Sequence, residues 1–103
     1  NIYICLYEMT NELTKLTQAS EMLKAIAHPI RLAIVQLLEN DKRMSVTAIH
    51  EALNIEQAVA SHHLSILKNK GVLSVDREGK HCFYFLKHQR LAEIVVCVNK
   101  CQE

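Results

Sequence analysis

Apolar residues recur at intervals of three and four along most of the chain, which is the spacing of amphipathic helices. Residues 11–27 form the first such segment. His28-Pro29 ends it, because the residue before a proline is disfavoured in helical conformation. A second segment follows and ends near Asn40-Asp41; its inward positions are Ile30, Ile34, Leu37 and Leu38. The pattern predicts two consecutive helices, each with one apolar face.

Two shorter helices joined by a tight turn are predicted next, over residues 45–71. Ser45 is a suitable N-cap for the first of them. Only residues 54–56 separate it from the second, which begins at Gln57 and is expected to stop at Gly71. The inward positions are Ile49 and Leu53 in the first helix, and Ala60, Leu64 and Leu67 in the second. Two short helices so closely joined are typical of a helix-turn-helix.

A β-hairpin is predicted over residues 72–86. Its strands are Val72–Asp76 and His81–Leu86, and a glycine-containing turn at residues 77–80 joins them. Alternation in the second strand directs Cys82 inward, where we expect an inert thiol. The sequence therefore predicts a mainly α fold with a small β-hairpin: a winged helix-turn-helix of five helices and a two-stranded wing, in the order α-α-α-α-β-β-α.

The last predicted helix, residues 87–103, begins near Lys87 and is apolar on more than one side. Five consecutive apolar residues, Ile94 to Val98, cover more than one of its faces. A helix that is apolar most of the way round is normally buried on several sides, which one small domain cannot provide for its terminal helix. The pattern therefore predicts a homodimer, held by this helix together with residues 11–27.

Composition limits the class of protein. The 103 residues, half of them apolar and 22% charged, suit a single globular domain spanning 1–103. The net charge of +1 gives no general attraction to nucleic acid, so DNA binding would depend on local charge. No apolar run reaches the ~20 residues of a membrane helix, and the four cysteines lack a disulfide-like spacing; both favour the cytoplasm. Residues 1–8, which precede Met9, are interpreted as an N-terminal extension or an alternative start.

Two adjacent histidines in the second short helix raise three alternatives: a metal site, a catalytic pair or a DNA-reading helix. His62 and His63 point about 100° apart, whereas shared metal ligands on a helix need a spacing of four. No nucleophile–base pair, phosphate loop or carboxylate dyad accompanies them, so an enzyme is excluded. His63 lies nearer the apolar stripe, while His62 points outward. His28 and His81 are expected at the surface.

Three stretches resemble the ArsR/SmtB-type (arsenic-repressor-like) transcriptional regulators. They are LKAIAHPIRLAIVQLL (residues 23–38), SVTAIHEALNIEQAVASHHLSILKNKGVL (residues 45–73) and REGKHCFYFL (residues 77–86). The resemblance implies a homodimeric winged-helix repressor that releases operator DNA when a metal ion or reactive species binds. His50 departs from the motif, which usually has a small residue there. We expect either a wider packing of the two helices or an imidazole that tips outward.

A recognition helix lies in the major groove, with short polar side chains toward base edges and cations around it on phosphates. The expected base readers are Gln57, Ser61, His62 and Ser65, and the expected phosphate contacts are Lys68, Arg77 and Lys80. From Gln57 to His81, four fixed cations face two carboxylates, a local excess of +2. We therefore expect moderate, salt-sensitive binding to double-stranded DNA.

The metal sites that the resemblance implies are not matched. One would need cysteines where Ser45-Val46-Thr47 stands, and the other would place Arg90 among its ligands beside His88 and Cys101. Neither of these metal sites is therefore predicted.

Cys97 and Cys101 are the remaining candidates for sensing. They share one helix face, and Cys5 could approach them from the other terminus. These thiols could bind a soft metal ion or undergo oxidation, and a link across the dimer or to Cys5 is favoured over one within the helix. Three alternatives stay open: a regulator released by a thiol-directed inducer, a regulator without an inducer site, and a winged-helix protein–protein adaptor.

Overall fold

The amphipathic segments form helices in the computed structural model, which describes the backbone of residues 2–102 and the side chains of residues 11–102. The helices are α1 (Ile2–Ile26), α2 (Pro29–Leu37), α3 (Val46–Leu53), α4 (Gln57–Asn69) and α5 (Arg90–Lys100). The strands are β1 (Met44–Ser45), β2 (Leu73–Glu78) and β3 (His81–Leu86). The predicted winged helix-turn-helix is confirmed.

Local chemistry explains why the helices begin where they do. His28 Nδ1 accepts a hydrogen bond from the Ile30 amide at 3.1 Å and caps α2, with Pro29 in its first turn. Ser45 Oγ accepts one from the Ala48 amide at 3.1 Å and caps α3, as the sequence predicted. Capping side chains therefore set the start of both helices.

The ends of the two short helices depend on left-handed backbone. Asn54 ends α3 with φ of 53°. Gly71 follows α4 with φ of 80°, a conformation that costs glycine little. Both positions lie where the sequence predicted a turn and a stop.

The two terminal helices differ in extent from the prediction. α1 begins at Ile2, so the backbone of the segment interpreted as an extension continues the helix that was predicted from residue 11. α5 begins at Arg90 rather than near Lys87. The reason is that the Lys87 amide still donates a hydrogen bond to the Val72 carbonyl at 3.0 Å, which keeps this residue attached to the hairpin.

The sheet has one strand more than the sequence predicted. Its strands are antiparallel, in the order β1-β3-β2. Met44 pairs with Tyr84 and Ser45 with Phe83. A two-residue strand is too short to produce an alternating pattern, and its partner lies about forty residues away along the chain. The wing is therefore joined to the start of α3 by backbone pairing.

The core surrounds α2, which packs against α1, α3, α4 and α5. The fully buried large side chains are Ile34, Val35, Leu38, Ile49, Leu64, Leu67 and Val72. Because α3 and α4 each contribute to this cluster, the helix-turn-helix has a rigid base. In the part of the chain described here, no helix combines the length and apolar character needed to cross a bilayer.

Candidate nucleic-acid interface

Helix α4 has one apolar face and one polar face. Ala60, Leu64 and Leu67 are completely buried against the core. On the other side, the four predicted contact residues Gln57, His62, Ser65 and Lys68 are exposed, and Ser61 is partly buried. Within residues 11–102, none of these five side chains has a hydrogen-bond partner. The polar groups of this face are therefore available to an external partner.

The turn before α4 is tied down by His50. Its Nδ1 lies 3.2 Å from the Ile55 carbonyl, and the Ile55 amide donates to the His50 carbonyl at 3.1 Å. The imidazole does not tip outward, as one of the two sequence expectations had it, but is partly buried and directed to the turn. A larger side chain than the motif usually carries is thus accommodated, and it makes a further contact between α3 and the turn that follows it.

The adjacent histidines of α4 have different environments. His63 is only 7% exposed, whereas His62 is exposed. His63 Nδ1 accepts a hydrogen bond from Arg31 Nε at 3.2 Å. His28, expected at the surface, is instead partly buried, and its ring centroid lies 4.5 Å from that of His63. The prediction for His28 was wrong because the α1–α2 junction packs against the middle of α4, at His63, and no local pattern signals that proximity.

The carboxylates of the wing form ion pairs with a residue that the sequence analysis missed. Arg43 Nη2 lies 2.5 Å from Asp76 and 3.4 Å from Glu78. Its guanidinium also lies 6.0 Å from the ring centroid of Phe83 and 5.6 Å from that of Phe85. The two ion pairs span more than thirty positions of sequence, so no spacing rule could have identified them.

The predicted phosphate contacts of the wing are free of these ion pairs. Arg77 and Lys80 are exposed. Arg77 alternates with Asp76 and Glu78 along β2, so it extends from the opposite face of the strand. Lys80 lies in the turn beside Gly79, which has φ of 62°. The positive charge at the tip is thus separated from the carboxylates.

The terminal helices leave apolar side chains exposed. Among the described residues, the exposed large apolar side chains are Leu13 (62%), Leu16 (59%) and Leu23 (48%) of α1, and Ile94 (39%) and Val98 (53%) of α5. A groove of about 310 Å³ lies where α1, α2 and α5 meet, and Leu23, Ile94 and Val98 line it. Other parts of α5 are buried in the core, so this helix is apolar on more than one side, as the sequence indicated.

The candidate sensing thiols lie near the end of the chain. Cys97 and Cys101 are free and exposed, while Cys82 is partly buried. Cys97 borders a hollow of about 490 Å³ beside Glu39 and Asp41, apart from the groove that Ile94 and Val98 line. The side chain of Cys5 lies outside the described residues. Among residues 11–102, no three His, Cys, Asp or Glu side chains form a group that could hold a metal ion.

Comparison with known proteins is consistent with this geometry. The family model for bacterial regulatory proteins of the arsR family matches residues 28–75, the segment from the cap of α2 into β2. The uncharacterized HTH-type transcriptional regulator MJ1325 of Methanocaldococcus jannaschii is 37% identical over 86 residues, 84% of this chain and 97% of its own length. The transcriptional repressor PagR of Bacillus anthracis is 34% identical over 91 residues, 88% of this chain and 91% of its own length.

Two solved structures show the same fold. The crystal structure of PagR superimposes with a TM-score of 0.75 at 32% identity, covering 84% of this chain and 98% of that one. The solution structure of the homodimeric winged helix-turn-helix domain of Mb0332 from Mycobacterium bovis has a TM-score of 0.73 at 28% identity, covering 88% and 83%. The protein is thus a DNA-binding transcriptional regulator with a winged helix-turn-helix, not an enzyme, and the chain belongs to the arsR family of regulatory proteins.

Proposed function

We propose that the protein is a repressor that binds a palindromic operator as a homodimer, with α4 of each copy in the major groove. The observation that carries this proposal is the division of α4 into a buried apolar face and an exposed face of unpaired polar side chains. Two copies would place their recognition helices in half-sites about one helical turn apart, roughly 34–36 Å.

The apolar surface of α1 and α5 supports the homodimer. The exposed large apolar side chains of the described chain are confined to these two helices, between 39% and 62% exposed. Single exposed apolar residues are ordinary, but a clustered set such as Leu23, Ile94 and Val98 at one groove marks an association surface. A second copy presenting the same helices would cover it through a self-complementary contact. The relative from Mycobacterium bovis is described as homodimeric.

The charges around α4 support binding that depends on salt. Lys68, Arg77 and Lys80 are exposed and could each neutralise a phosphate. Because Arg43 pairs with the wing carboxylates and adds one positive charge, the local excess rises from the +2 counted along the sequence from Gln57 to His81 to +3. Each phosphate contact contributes about 0.9 to the slope of log K against log salt concentration.

The test combines operator selection with a change at the dimer surface. The purified chain selects duplexes from a random-sequence library, and sedimentation velocity measures its oligomeric state. We expect a dimer and a selected palindrome for the wild type. Val98→Glu should yield monomers that bind DNA more weakly. Lys100→Glu introduces the same side chain outside the apolar groove, and this variant should remain dimeric. A monomeric wild type that selects no sequence would support the protein–protein adaptor instead.

A thiol-directed release of DNA is a second proposal, favoured by the exposure of Cys97 in α5 and of Cys101 at the C-cap of that helix. Thiolates bind soft metal ions and react with oxidants or polysulfides. The test measures DNA affinity with diamide, inorganic polysulfide, Zn²⁺ and Cd²⁺ for the wild type and for Cys97→Ser/Cys101→Ser, with Cys82→Ser as the control. A double variant that still responds like the wild type excludes sensing through this pair; a wild type that responds to none of them favours a regulator without an inducer site.

A further inference from the structure

A cluster of one arginine and two histidines joins three helices where α1 meets α2. Arg31 Nη1 donates a hydrogen bond to the Ala25 carbonyl near the end of α1, at 3.0 Å. Arg31 Nε donates to Nδ1 of His63 in α4, at 3.2 Å. The ring of His28, which caps α2, lies 4.5 Å from the ring of His63. One guanidinium of α2 therefore holds α1 and α4 together, and we name this contact the Arg31–His63 link.

The link requires one protonation state of His63. Because Nδ1 accepts the hydrogen bond from Arg31, it carries no proton, and the neutral ring has its proton on Nε2. A second proton would occupy Nδ1, remove the acceptor and place an imidazolium against the guanidinium. Protonation of His63 and an intact link are thus mutually exclusive.

The surroundings of His63 contain no compensating negative charge among the described groups that act on it. Arg31 and His28 face the ring from α2 and its cap, and His62 faces it from α4 itself; α1 contributes the Ala25 carbonyl, which Arg31 occupies. Burial first, and then His28, Arg31 and His62, lower the pKa of His63 from its ordinary value of 6.5. The neutral, linked form is therefore the form at neutral pH.

We propose that Arg31 is a positioning residue which holds the recognition helix against the end of α1, and that protonation of His63 breaks this link and weakens DNA binding in mild acid. The proposal rests on the proposed function, since α1 belongs to the dimer surface and α4 to the DNA surface. The position of α4 relative to α1 then sets the separation of the two recognition helices in the dimer, which must match the half-site spacing.

The direction of this effect distinguishes it from general electrostatics. The chain has six histidines, and protonating them adds positive charge, which strengthens binding to DNA phosphates. A loss of affinity on acidification therefore requires a structural change rather than a change in net charge.

The experiment uses two readouts on the full chain between pH 7.5 and 5.5 at constant salt. The first is affinity for a duplex selected from a random library at pH 7.5, measured by fluorescence anisotropy. Wild type should lose roughly two- to tenfold, the factor that corresponds to one net hydrogen bond. His63→Asn, whose amide oxygen can accept near the position of Nδ1 and does not titrate, should bind like wild type at pH 7.5 without the acid loss. His88→Gln, which removes an exposed histidine outside α4 and the wing, is the matched control and should keep the loss.

The second readout is an NMR titration of the histidine rings and backbone amides without DNA. Protonation of His63 should shift the amides of residues 25–27 with the same midpoint, and Arg31→Gln should abolish that coupling. If those amides do not follow His63 in the wild type, or if His63→Asn keeps the acid loss, the proposal is wrong. If no duplex is selected at pH 7.5, the proposed function fails, and the NMR titration still decides whether the link exists.

Discussion

The double substitution Gln57→Ala/His62→Ala tests whether α4 reads DNA sequence. Both side chains are exposed on the polar face of α4, and neither has a hydrogen-bond partner within the described residues. Each specific base contact contributes about 1–3 kcal/mol, so loss of two would cost about 2–6 kcal/mol of binding free energy. That is a fall in operator affinity of roughly 30-fold to 10⁴-fold.

The structure predicts that this loss comes without a loss of stability. Alanine is the better helix former, by up to ~0.7 kcal/mol per residue, and no buried surface is removed. The free energy of unfolding should therefore stay within about 1 kcal/mol of the wild-type value or rise slightly. Urea unfolding followed by circular dichroism measures it, and fluorescence anisotropy measures affinity for the selected duplex and for a scrambled one.

Two comparisons make the result specific. Gln36→Ala/His88→Ala also removes one exposed glutamine and one exposed histidine, but these lie outside α4 and the wing. This variant should leave DNA affinity unchanged. Lys68→Gln should weaken both duplexes alike and reduce the salt slope by about 0.9, whereas the α4 double variant should weaken chiefly the selected duplex. A double variant that is folded and still prefers the selected duplex as strongly as wild type would show that α4 is not the reader.

Four further predictions concern stability and the wing. Ser45→Ala should lower the free energy of unfolding by about 1 kcal/mol, because it removes the cap of α3, whereas Ser45→Asp should retain it; urea midpoints compare the two. Leu64→Ala should cost about 2–5 kcal/mol, since this side chain is completely buried, and a loss under 1 kcal/mol would contradict the packing. Arg43→Gln should change stability by less than about 1 kcal/mol, because its ion pairs are exposed, but should weaken DNA binding most at low salt by freeing the wing carboxylates. Folding lowers the pKa of His63, so titration of this ring leaves the free energy of unfolding unchanged above pH 6.5 and reduces it as the pH decreases below 6.5. Thermal unfolding of wild type and His63→Asn across that range shows whether the wild type alone loses this stability.

The periodicity of the chain by itself determined the elements that carry the fold. Spacings of three and four placed α2, α3 and α4 and most of their buried residues, although the fully buried Val35 was missed. The capping chemistry of Ser45 and the glycine at position 71 marked two of the helix boundaries. These features are local: a cap or a helical stripe depends on residues within one or two turns. For the same reason, the polar face of α4 could be identified from sequence.

Contacts between distant segments were decided only by the tertiary structure. Strand β1, the pairing of Arg43 with the wing carboxylates, and the bond between α2 and α4 through Arg31 and His63 each connect residues about thirty or more positions apart. No periodicity encodes such pairs, because they depend on how the helices and the sheet pack and not on the conformation of any one segment. The sequence alone therefore identified the helix whose exposed polar face could contact DNA, and the packing determined which contacts hold that helix in place.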